Sequence, residues 1–328
     1  MTIKDDAGTA EYRIGQRGRF HLRHLSGSIS IRGVDGDTVR IGEESGRAIA
    51  DGYQIETTDD SVSLVAPTRV GFDLRNFGLG RRSSYDLDIE VPRGSEVSIE
   101  SASGDIEGTN LHGPTRIRSA SGDIDLVGLA GPTDIDSVSG DVSLTAAGPI
   151  ELKVRSISGD LIIRAPQLTR TEIGTTSGDI RLDAVLGGAG PFEIQSVSGD
   201  VTIVGRADFQ IEARTVTGDL ESDLPHTTEN GPGRKRLIVG TGGTRLGFKS
   251  VSGDLRVVAP RDEPASVTVR GSASAKFAEG ASSSTDPRSE ESRSGGREVA
   301  RMDVLRALER GELSVDAAMR RIAQIEEA

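Results

Sequence analysis

The feature that most constrains this chain is a six-residue sequence that is written eight times. "SASGDI" begins at Ser101 and again at Ser119, and close variants follow as far as Leu255. The motif glycines are residues 104, 122, 140, 159, 178, 199, 218 and 253, so the intervals are 18, 18, 19, 19, 21, 19 and 35 residues. A fixed period of this length is typical of repeat architectures, in which each unit packs on its neighbours. The last interval is close to two periods and predicts a unit without the motif.

Each unit has apolar or small residues at the same offsets. In the unit that begins at Thr115 they are Thr115, Ile117, Ala120, Ile124 and Leu126. The steps of two predict short strands. The step from Ile117 to Ala120 changes parity, which predicts a bend or bulge that keeps both side chains inward. The motif Gly is expected to provide a positive φ or a close backbone approach.

The same offsets occur in stretches that lack the motif. Residues 20–31 fit the template with Gly27-Ser28 in place of Gly-Asp, residues 53–64 fit it, and residues 39–48 fit it weakly. The repeat is therefore expected to start near residue 20. Near-identical turns at constant spacing favour parallel stacking over a meander. We predict an all-β, single-chain β-solenoid (β-helix) of about ten rungs of 18–19 residues, plus a C-terminal α-helical hairpin.

Breaks in the register and in composition predict the domain organisation. The repeat domain is expected to carry two insertions, read as solvated loops, and the Ser- and Gly-rich stretch after it is expected to be a flexible linker. The predicted segments are an N-terminal cap, 1–19; the β-solenoid repeat domain, 20–270; its insertions, 67–84 and 224–236; the linker, 271–296; and the helical hairpin, 297–328.

The C-terminal hairpin is predicted from helical periodicity. Gly311 ends a first helix and Ser314 can cap a second one. Two helices of this size need a partner surface, which is either the end of the solenoid or another chain. The residues on the apolar faces that we consider candidates for partner binding are Val299, Met302, Leu305, Leu308, Met319 and Ile322.

Composition narrows the function classes. The net charge of −12 disfavours a general nucleic-acid binder, since phosphate contacts need clustered Lys and Arg. There is no Cys, which excludes disulfides and thiolate metal sites. The N-terminus lacks the apolar stretch of a signal peptide and no apolar run is long enough to span a membrane, so a cytoplasmic protein without membrane insertion is the expectation.

The repeated Asp is the strongest candidate for chemistry. Stacked rungs would place these carboxylates about 5 Å apart, where like charges repel by roughly 1 kcal/mol in water. Either each carboxylate accepts backbone N–H bonds in its turn, or neighbouring rungs share cations. Each rung offers too few oxygens for calcium, so we expect turn chemistry and no metal or cofactor. The turn ladder comprises Gly104, Asp105, Gly122, Asp123, Gly140, Asp141, Gly159, Asp160, Gly178, Asp179, Gly199, Asp200, Gly218, Asp219, Gly253 and Asp254.

Catalytic patterns are weak. The four His residues share no metal-binding spacing, and His21 and His24 are expected at the surface. No phosphate-binding or dinucleotide fingerprint occurs, and few aromatic residues are available to stack on sugars. The expectation is a protein that is not an enzyme and has no catalytic residues.

The "SxSGD" repeats, together with "YDLDIEVPRGSEVSIESASGDIEG" at 85–108, resemble the bacterial putative-adhesin family, domain of unknown function 4097. "VLRALERGELSVDAAMRRI" near the C-terminus resembles the short SHOCT-like helical module. The resemblance implies a β-solenoid from a bacterium, a link to cell-envelope stress, and no established catalytic residue.

Three functional hypotheses follow. The first is a structural scaffold or interaction module that binds an unknown protein partner, in one version through the C-terminal helices. The second is a ligand- or cation-binding surface module that uses the Asp-lined turn edge or the insertion loops. The third is end-to-end self-association, since parallel rungs without a stop invite polymerisation.

Overall fold

A computed structural model describes residues 2–6, 9–66, 84–231 and 234–260. Its described part is all-β, and its one helix there, α1 (Ile49–Gly52), is four residues long. The predicted linker, the predicted helical hairpin at 297–328 and almost all of the insertion at 67–84, with Phe72 and Phe77, lie outside the described residues.

The strands are short and follow one another at close intervals. In chain order they are β1 (Thr2–Asp6), β2 (Thr9–Arg13), β3 (Arg19–His24), β4 (Ile29–Val34), β5 (Thr38–Glu43), β6 (Gln54–Thr57), β7 (Ser61–Val65), β8 (Leu87–Pro92), β9 (Glu96–Ser101), β10 (Ile106–Thr109), β11 (Thr115–Ser119), β12 (Ile124–Leu129), β13 (Thr133–Ser139), β14 (Val142–Ala146), β15 (Ile150–Ser158), β16 (Leu161–Ser177), β17 (Ile180–Leu186), β18 (Phe192–Ser198), β19 (Val201–Val204), β20 (Phe209–Thr217), β21 (Leu220–Ser222), β22 (His226–Gly231), β23 (Arg234–Val239), β24 (Thr244–Ser252) and β25 (Leu255–Val258).

Parallel pairing stacks like strands into two faces. Strand β11 pairs with β9 and β13, while β12 pairs with β10 and β14, so strands alternate between a first and a second face. The 17-residue strand β16 belongs to both faces: its first part pairs with β14 and β17, and its last part pairs with β15 and β18. We call one strand of each face, joined by a motif turn, a rung. The arrangement is solenoid-like, with rungs about 4.8 Å apart.

The core lies between the two faces. Offsets are counted from the first residue of each unit, which is Thr115 or Thr133 in the units quoted. The side chains at offsets 0, 2, 9 and 11 point into the core. In the rung of β13 and β14 these side chains are all buried, and they belong to Thr133, Ile135, Val142 and Leu144. The apolar members of this set belong to one continuous cluster that runs along the stack. Aliphatic side chains suffice because each rung adds only one thin layer to the core.

The predicted bend or bulge before offset 5 is wrong, although Ala120 and Val138 at this offset are buried as expected. Strand β13 continues through Val138 without a bulge, since Ser137 and Ser139 both pair with β15 in register. Strand alternation then turns Ser137 inward and Val138 outward. Seven buried Ser or Thr residues fill this inward position at offset 4, and the residues are Ser101, Ser119, Ser137, Ser156, Thr175, Ser196 and Ser250.

Sequence order is not stacking order at the ends of the molecule. Strands β3 and β4 lie between β7 and β8 on one side and β9 and β10 on the other. Strands β24 and β25 likewise lie between β18 and β19 and the earlier pair β20 and β21. Near the N-terminal end, β3 and β4 precede in sequence the strands on both of their sides. Near the C-terminal end, β20 and β21 come first in the chain, and β24 and β25 then occupy the place between them and the pair β18 and β19.

Three expectations about individual units need correction. Residues 53–64 do not form a rung, because β6 and β7 pair antiparallel as a hairpin. Strand β5 pairs antiparallel with β2 and β8, so residues 39–48 are not a rung either. Residues 224–236 are not a solvated loop: β22 and β23 form a hairpin that pairs antiparallel with β20 and accounts for the interval of 35 residues.

The inward serines provide a test of the packing. The Ser137 hydroxyl is buried without a hydrogen-bond partner, whereas the Ser119 hydroxyl donates to the Ser121 carbonyl at 3.2 Å. We expect Ser137→Ala to raise the free energy of unfolding by about 1 kcal/mol, because it removes an unpaired buried polar group. The matched variant Ser119→Ala should lower it slightly. Urea unfolding measures both, and a clear loss for Ser137→Ala would contradict the assignment.

Candidate functional site

The motif turns form one straight edge of the molecule, here called the SGD edge. Each turn joins a strand of the first face to a strand of the second. Among the described residues, those that follow one another in space along this edge are Asp86, Ser28, Asp105, Asp123, Asp141, Asp160, Asp179, Asp200, Asp254 and Asp219.

Each aspartate holds the next rung. The backbone N–H of Asp141 donates to Oδ1 of Asp123 at 2.9 Å, and the N–H of Ile124 donates to the carbonyl oxygen of Asp141 at 2.9 Å. The same side-chain bond recurs at 2.8–3.0 Å at seven consecutive steps from Asp105 to Asp219. The expectation that each carboxylate accepts N–H groups of its own turn is therefore corrected: the donor belongs to the neighbouring turn. These hydrogen bonds and water offset the repulsion between stacked carboxylates.

The motif glycines permit this close stacking. All eight have φ between 112° and 133°. A Cβ added to Gly122 would overlap the carbonyl oxygen of Gly104, and a Cβ on Gly140 would overlap that of Gly122. Both the backbone conformation and the separation between rungs therefore require glycine.

A line of outward residues runs beside this edge at offset 5. Val197, Val251 and Val216 occupy adjacent rungs in that order, because β24 pairs with both β18 and β20. They are 47%, 51% and 80% exposed and are the large hydrophobic residues exposed in the described part of the chain. We call these three residues the Val strip. Nearer the other end, Ala102, Ala120, Val138 and Ile157 occupy the same line and are buried.

The outer surface of the first face carries an alternating ladder of charges at offset 3. Arg23, Glu100, Arg118, Asp136 and Arg155 follow one another across neighbouring strands, with N–O distances of 3.6, 3.7, 3.6 and 2.7 Å. Asp136 is almost completely buried between its two arginines. This ladder ties rungs together on the outside and leaves no unpaired charge within it.

An open groove of about 570 Å³ lies on the same face, over Gly247. Glu193 and Glu212 flank it, and each has a cation nearby: Lys249 is 3.7 Å from Glu193, and Arg245 is 3.6 Å from Glu212. Both carboxylates of the groove are therefore paired with a neighbouring cation. No group of three or more His, Cys, Asp or Glu residues that could hold a metal ion occurs among the described residues.

Comparison with known proteins agrees with this architecture. The chain matches the family described as Toastrack DUF4097 over residues 18–167 and again over residues 130–258. The chain belongs to the Toastrack DUF4097 family. No curated protein matches it.

Solved structures resemble this Toastrack protein at low identity. A "putative adhesin" from Bacteroides fragilis is 16% identical, with a TM-score of 0.41, over 76% of this chain and 95% of that one. A "putative lipid binding protein" from Parabacteroides distasonis is 11% identical, with a TM-score of 0.42, over 76% and 95%. A "putative cell adhesion protein" from Clostridium sporogenes is 12% identical, with a TM-score of 0.29, over 77% and 99%.

The predicted site residues of the Toastrack domain fall into two groups. All sixteen Gly and Asp residues of the turn ladder lie on the SGD edge. The C-terminal candidates Val299, Met302, Leu305, Leu308, Met319 and Ile322 lie outside the described residues, as does the segment that resembles the SHOCT-like module. Among described residues, no helix is long and apolar enough to cross a membrane.

Sequence reasoning missed several residues. Asp86 begins the ladder and accepts the N–H of Ser28 at 2.8 Å, but it follows Tyr85 rather than a Gly and so lacks the motif. The charge ladder had a signal in the sequence, since Arg118, Asp136 and Arg155 occupy one offset with alternating sign. The basic cluster at 234–236 is partly paired, because Lys235 contacts Asp219 and Arg236 contacts Glu212 and Glu229.

His24 is buried, so its expected surface position is wrong. It occupies the inward position that Ser101 holds in the next rung. Its Nε2–H donates to the Gly27 carbonyl at 3.1 Å, and its Nδ1 accepts from the Tyr53 hydroxyl at 2.5 Å. Burial lowers the pKa of His24 and raises the pKa of Tyr53.

A polar cluster continues from His24 toward the N-terminal end of the stack. Tyr53 meets the ring of Tyr85 edge-on, and the Arg47 guanidinium lies 4.2 Å from the centre of that ring. Hydrogen bonds from Arg47 lower the pKa of the buried Glu43 to about 2. These hydrogen bonds and ring contacts join residues from separate segments and stabilise this end of the stack.

Gly122 provides a test of the edge. We expect Gly122→Ala to lower the free energy of unfolding by about 3 kcal/mol, since its φ is +112° and its Cβ would overlap the backbone of the neighbouring rung. Gly148→Ala is the matched control, because a Cβ there meets nothing within 4 Å. Equal effects of the two substitutions in urea unfolding would refute the stacking constraint.

His24 provides a test of the N-terminal cluster. Its folded pKa lies below the ordinary value of 6.5, so the unfolded chain binds more protons between those two values. We expect the melting temperature to fall as pH drops below about 6.5. His24→Gln should flatten this dependence, and the identical pH profile in both proteins would contradict the burial of a neutral imidazole.

Proposed function

We propose that this Toastrack protein is a non-enzymatic β-solenoid scaffold of about ten rungs that binds a protein partner. The observation that carries the proposal is the Val strip. Three large apolar side chains stand exposed in a line, on a surface whose position is fixed by the inter-rung bonds of the SGD edge. Contiguous exposed apolar residues bordered by polar ones are typical of protein interaction sites.

The hydrogen bonds and ion pairs that the charged residues make between rungs support a binding function over catalysis. The edge aspartates accept backbone N–H groups, and the outer ladder consists of ion pairs. A catalytic acid or base must instead be able to reach and exchange a proton with a substrate. Groups that already hold neighbouring rungs together are poorly suited to that role.

The C-terminal route to a partner, the cellular location and the link to cell-envelope stress are proposed from the sequence. The apolar faces of residues 297–328 offer a second route to a protein partner, and a cytoplasmic location with a link to cell-envelope stress is part of the same proposal. The absence of enzymatic activity is likewise proposed. Self-association ranks behind partner binding, because the described ends carry antiparallel strands that interrupt the parallel stack.

The partner proposal is tested by replacing the Val strip in the full-length protein. The variant Val197→Thr, Val216→Thr, Val251→Thr keeps β-branched residues, and Thr176 already occupies this offset in another rung. We expect affinity capture of specific partners from the native host to fall at least tenfold. Val127→Thr, on the second face, is the matched control. A set of captured proteins that is unchanged by the triple variant would refute the strip as the binding surface.

Cation binding along the SGD edge is the second candidate. The observation in its favour is that eight exposed carboxylates line one edge, and the seven from Asp105 to Asp254 have only one oxygen engaged in the inter-rung bonds. Calcium would need six to eight oxygens per site. Sharing between rungs could supply only part of that number.

This alternative is tested by Asp123→Asn and by calorimetry with Ca²⁺. If the carboxylate acts only as an acceptor, the amide oxygen replaces it and the free energy of unfolding changes by less than about 0.5 kcal/mol. Asp123→Ala should lower the free energy of unfolding by about 1 kcal/mol, because the Asp141 N–H loses its acceptor. Saturable Ca²⁺ binding that Asp123→Asn abolishes would instead establish the cation site.

A further inference from the structure

The Val strip is the open end of a longer apolar line. One residue per rung occupies it, and its members are buried from Ala102 to Ile157 but exposed from Val197 onward. The strip is bordered on one side by Lys249 and Arg214, two residues earlier on their strands, and on the other by the carboxylates of Asp254 and Asp219. It is therefore a short apolar ridge between a basic flank and an acidic flank.

We propose that the Val strip is the docking site for this chain's own C-terminal segment, residues 314–328, as an amphipathic helix that lies along the stack. The inference rests on the proposed function in that it takes the strip to be an interaction surface. The inference adds to the proposed function that the segment bound to the Val strip in the absence of a partner is residues 314–328 of the same chain.

The spacing of apolar residues fits the strip. Val315, Ala318, Met319 and Ile322 recur at the intervals of one helical face. From Val315 to Ile322 such a helix rises about 10 Å. The strip spans two inter-rung steps, which is also about 10 Å. One helical stripe therefore covers the three valines.

The charges beside that stripe complement the flanks of the strip. On a helical projection, Asp316 lies on the acidic side of the apolar stripe and Arg321 lies on the other. Arg320 faces away from the stripe, and Glu326 continues its line beyond Ile322. One of the two orientations along the strip places the acidic side against Lys249 and Arg214. It places Arg321 against the edge aspartates.

The path of the chain allows this contact. The described chain ends at Pro260, six residues after Asp254 and hence within about 20 Å of the strip. Residues 261–313 then connect it to the segment, and the Ser- and Gly-rich stretch at 271–296 predicts a flexible connection. A coil of this length has a root-mean-square span of roughly 40 Å, so reach does not limit docking.

The covalent connection to the repeat domain favours the C-terminal segment over a second copy of this chain as the occupant of the Val strip. Three valines are a small surface compared with the roughly 800 Å² per partner of a stable interface. A second copy of this chain would have to be held by that surface alone. A tethered segment has a local concentration on the order of millimolar, so even a weak contact is occupied.

The absence of native cysteine allows a direct test by cross-linking. In the full-length protein, Val251→Cys is combined with Met319→Cys, and the purified protein is treated with a short bismaleimide. We expect an intramolecular link within the monomer, identified by peptide mass spectrometry, at a yield at least fivefold above that of the control pair Val127→Cys with Met319→Cys. Equal yields, links only between molecules, or no link would each overturn the proposal.

Hydrogen exchange gives an independent readout without cysteines. Full-length protein carrying the three Val→Thr substitutions should exchange at least fivefold faster than wild type in peptides from 314–328, whereas Val127→Thr should leave them unchanged. No change in either variant would overturn docking on the strip. Both experiments use purified protein without a partner, so they can fail while partner capture still depends on the strip, and the two proposals are separable.

Discussion

The structure depends on one repeated contact, the hydrogen bond from the backbone N–H of one edge aspartate to the carboxylate of the aspartate in the neighbouring rung. It recurs at seven consecutive steps with distances of 2.8–3.0 Å. It is possible only because glycine precedes each aspartate and lets the turns approach to backbone contact. The turn is the place where a parallel stack is otherwise weakest, since strand pairing ends there and a backbone donor would be left without a partner.

This contact also determines what the edge can do. A carboxylate that accepts a charge-assisted bond from the next turn sets the register between rungs. The side chains beside it, including the Val strip, are consequently held in line at the inter-rung spacing. A straight row of apolar side chains at 4.8 Å intervals is a template for an extended or helical segment rather than a pocket for a small molecule. The functional proposals follow from this shape.

The ends of the stack meet a different constraint. A parallel stack that simply stopped would present unpaired strand edges. Here β3 with β4, and β24 with β25, are inserted between strands that are their neighbours in space but not in sequence. Antiparallel strands such as β5 and β23 then follow the last parallel ones. The ends are thereby tied to parts of the chain that are distant in sequence.

The repeat in the sequence was enough to predict an all-β stack, the inward residues at offsets 0, 2, 9 and 11, and a glycine-dependent turn, because these properties are local and repeat with the chain. The apolar character of Val138 predicted an inward position for it. The strand alternation instead places Ser137 inward at offset 4, and a serine gives no hydrophobic signal of that position. His24 was misplaced for a related reason: its burial depends on Tyr53, which is distant in sequence. Which rung neighbours which at the ends, which aspartate serves which turn, and which valines stay exposed were decided only by the tertiary structure. All three depend on contacts between units, and near-identical units leave no mark in the sequence of the order in which they stack.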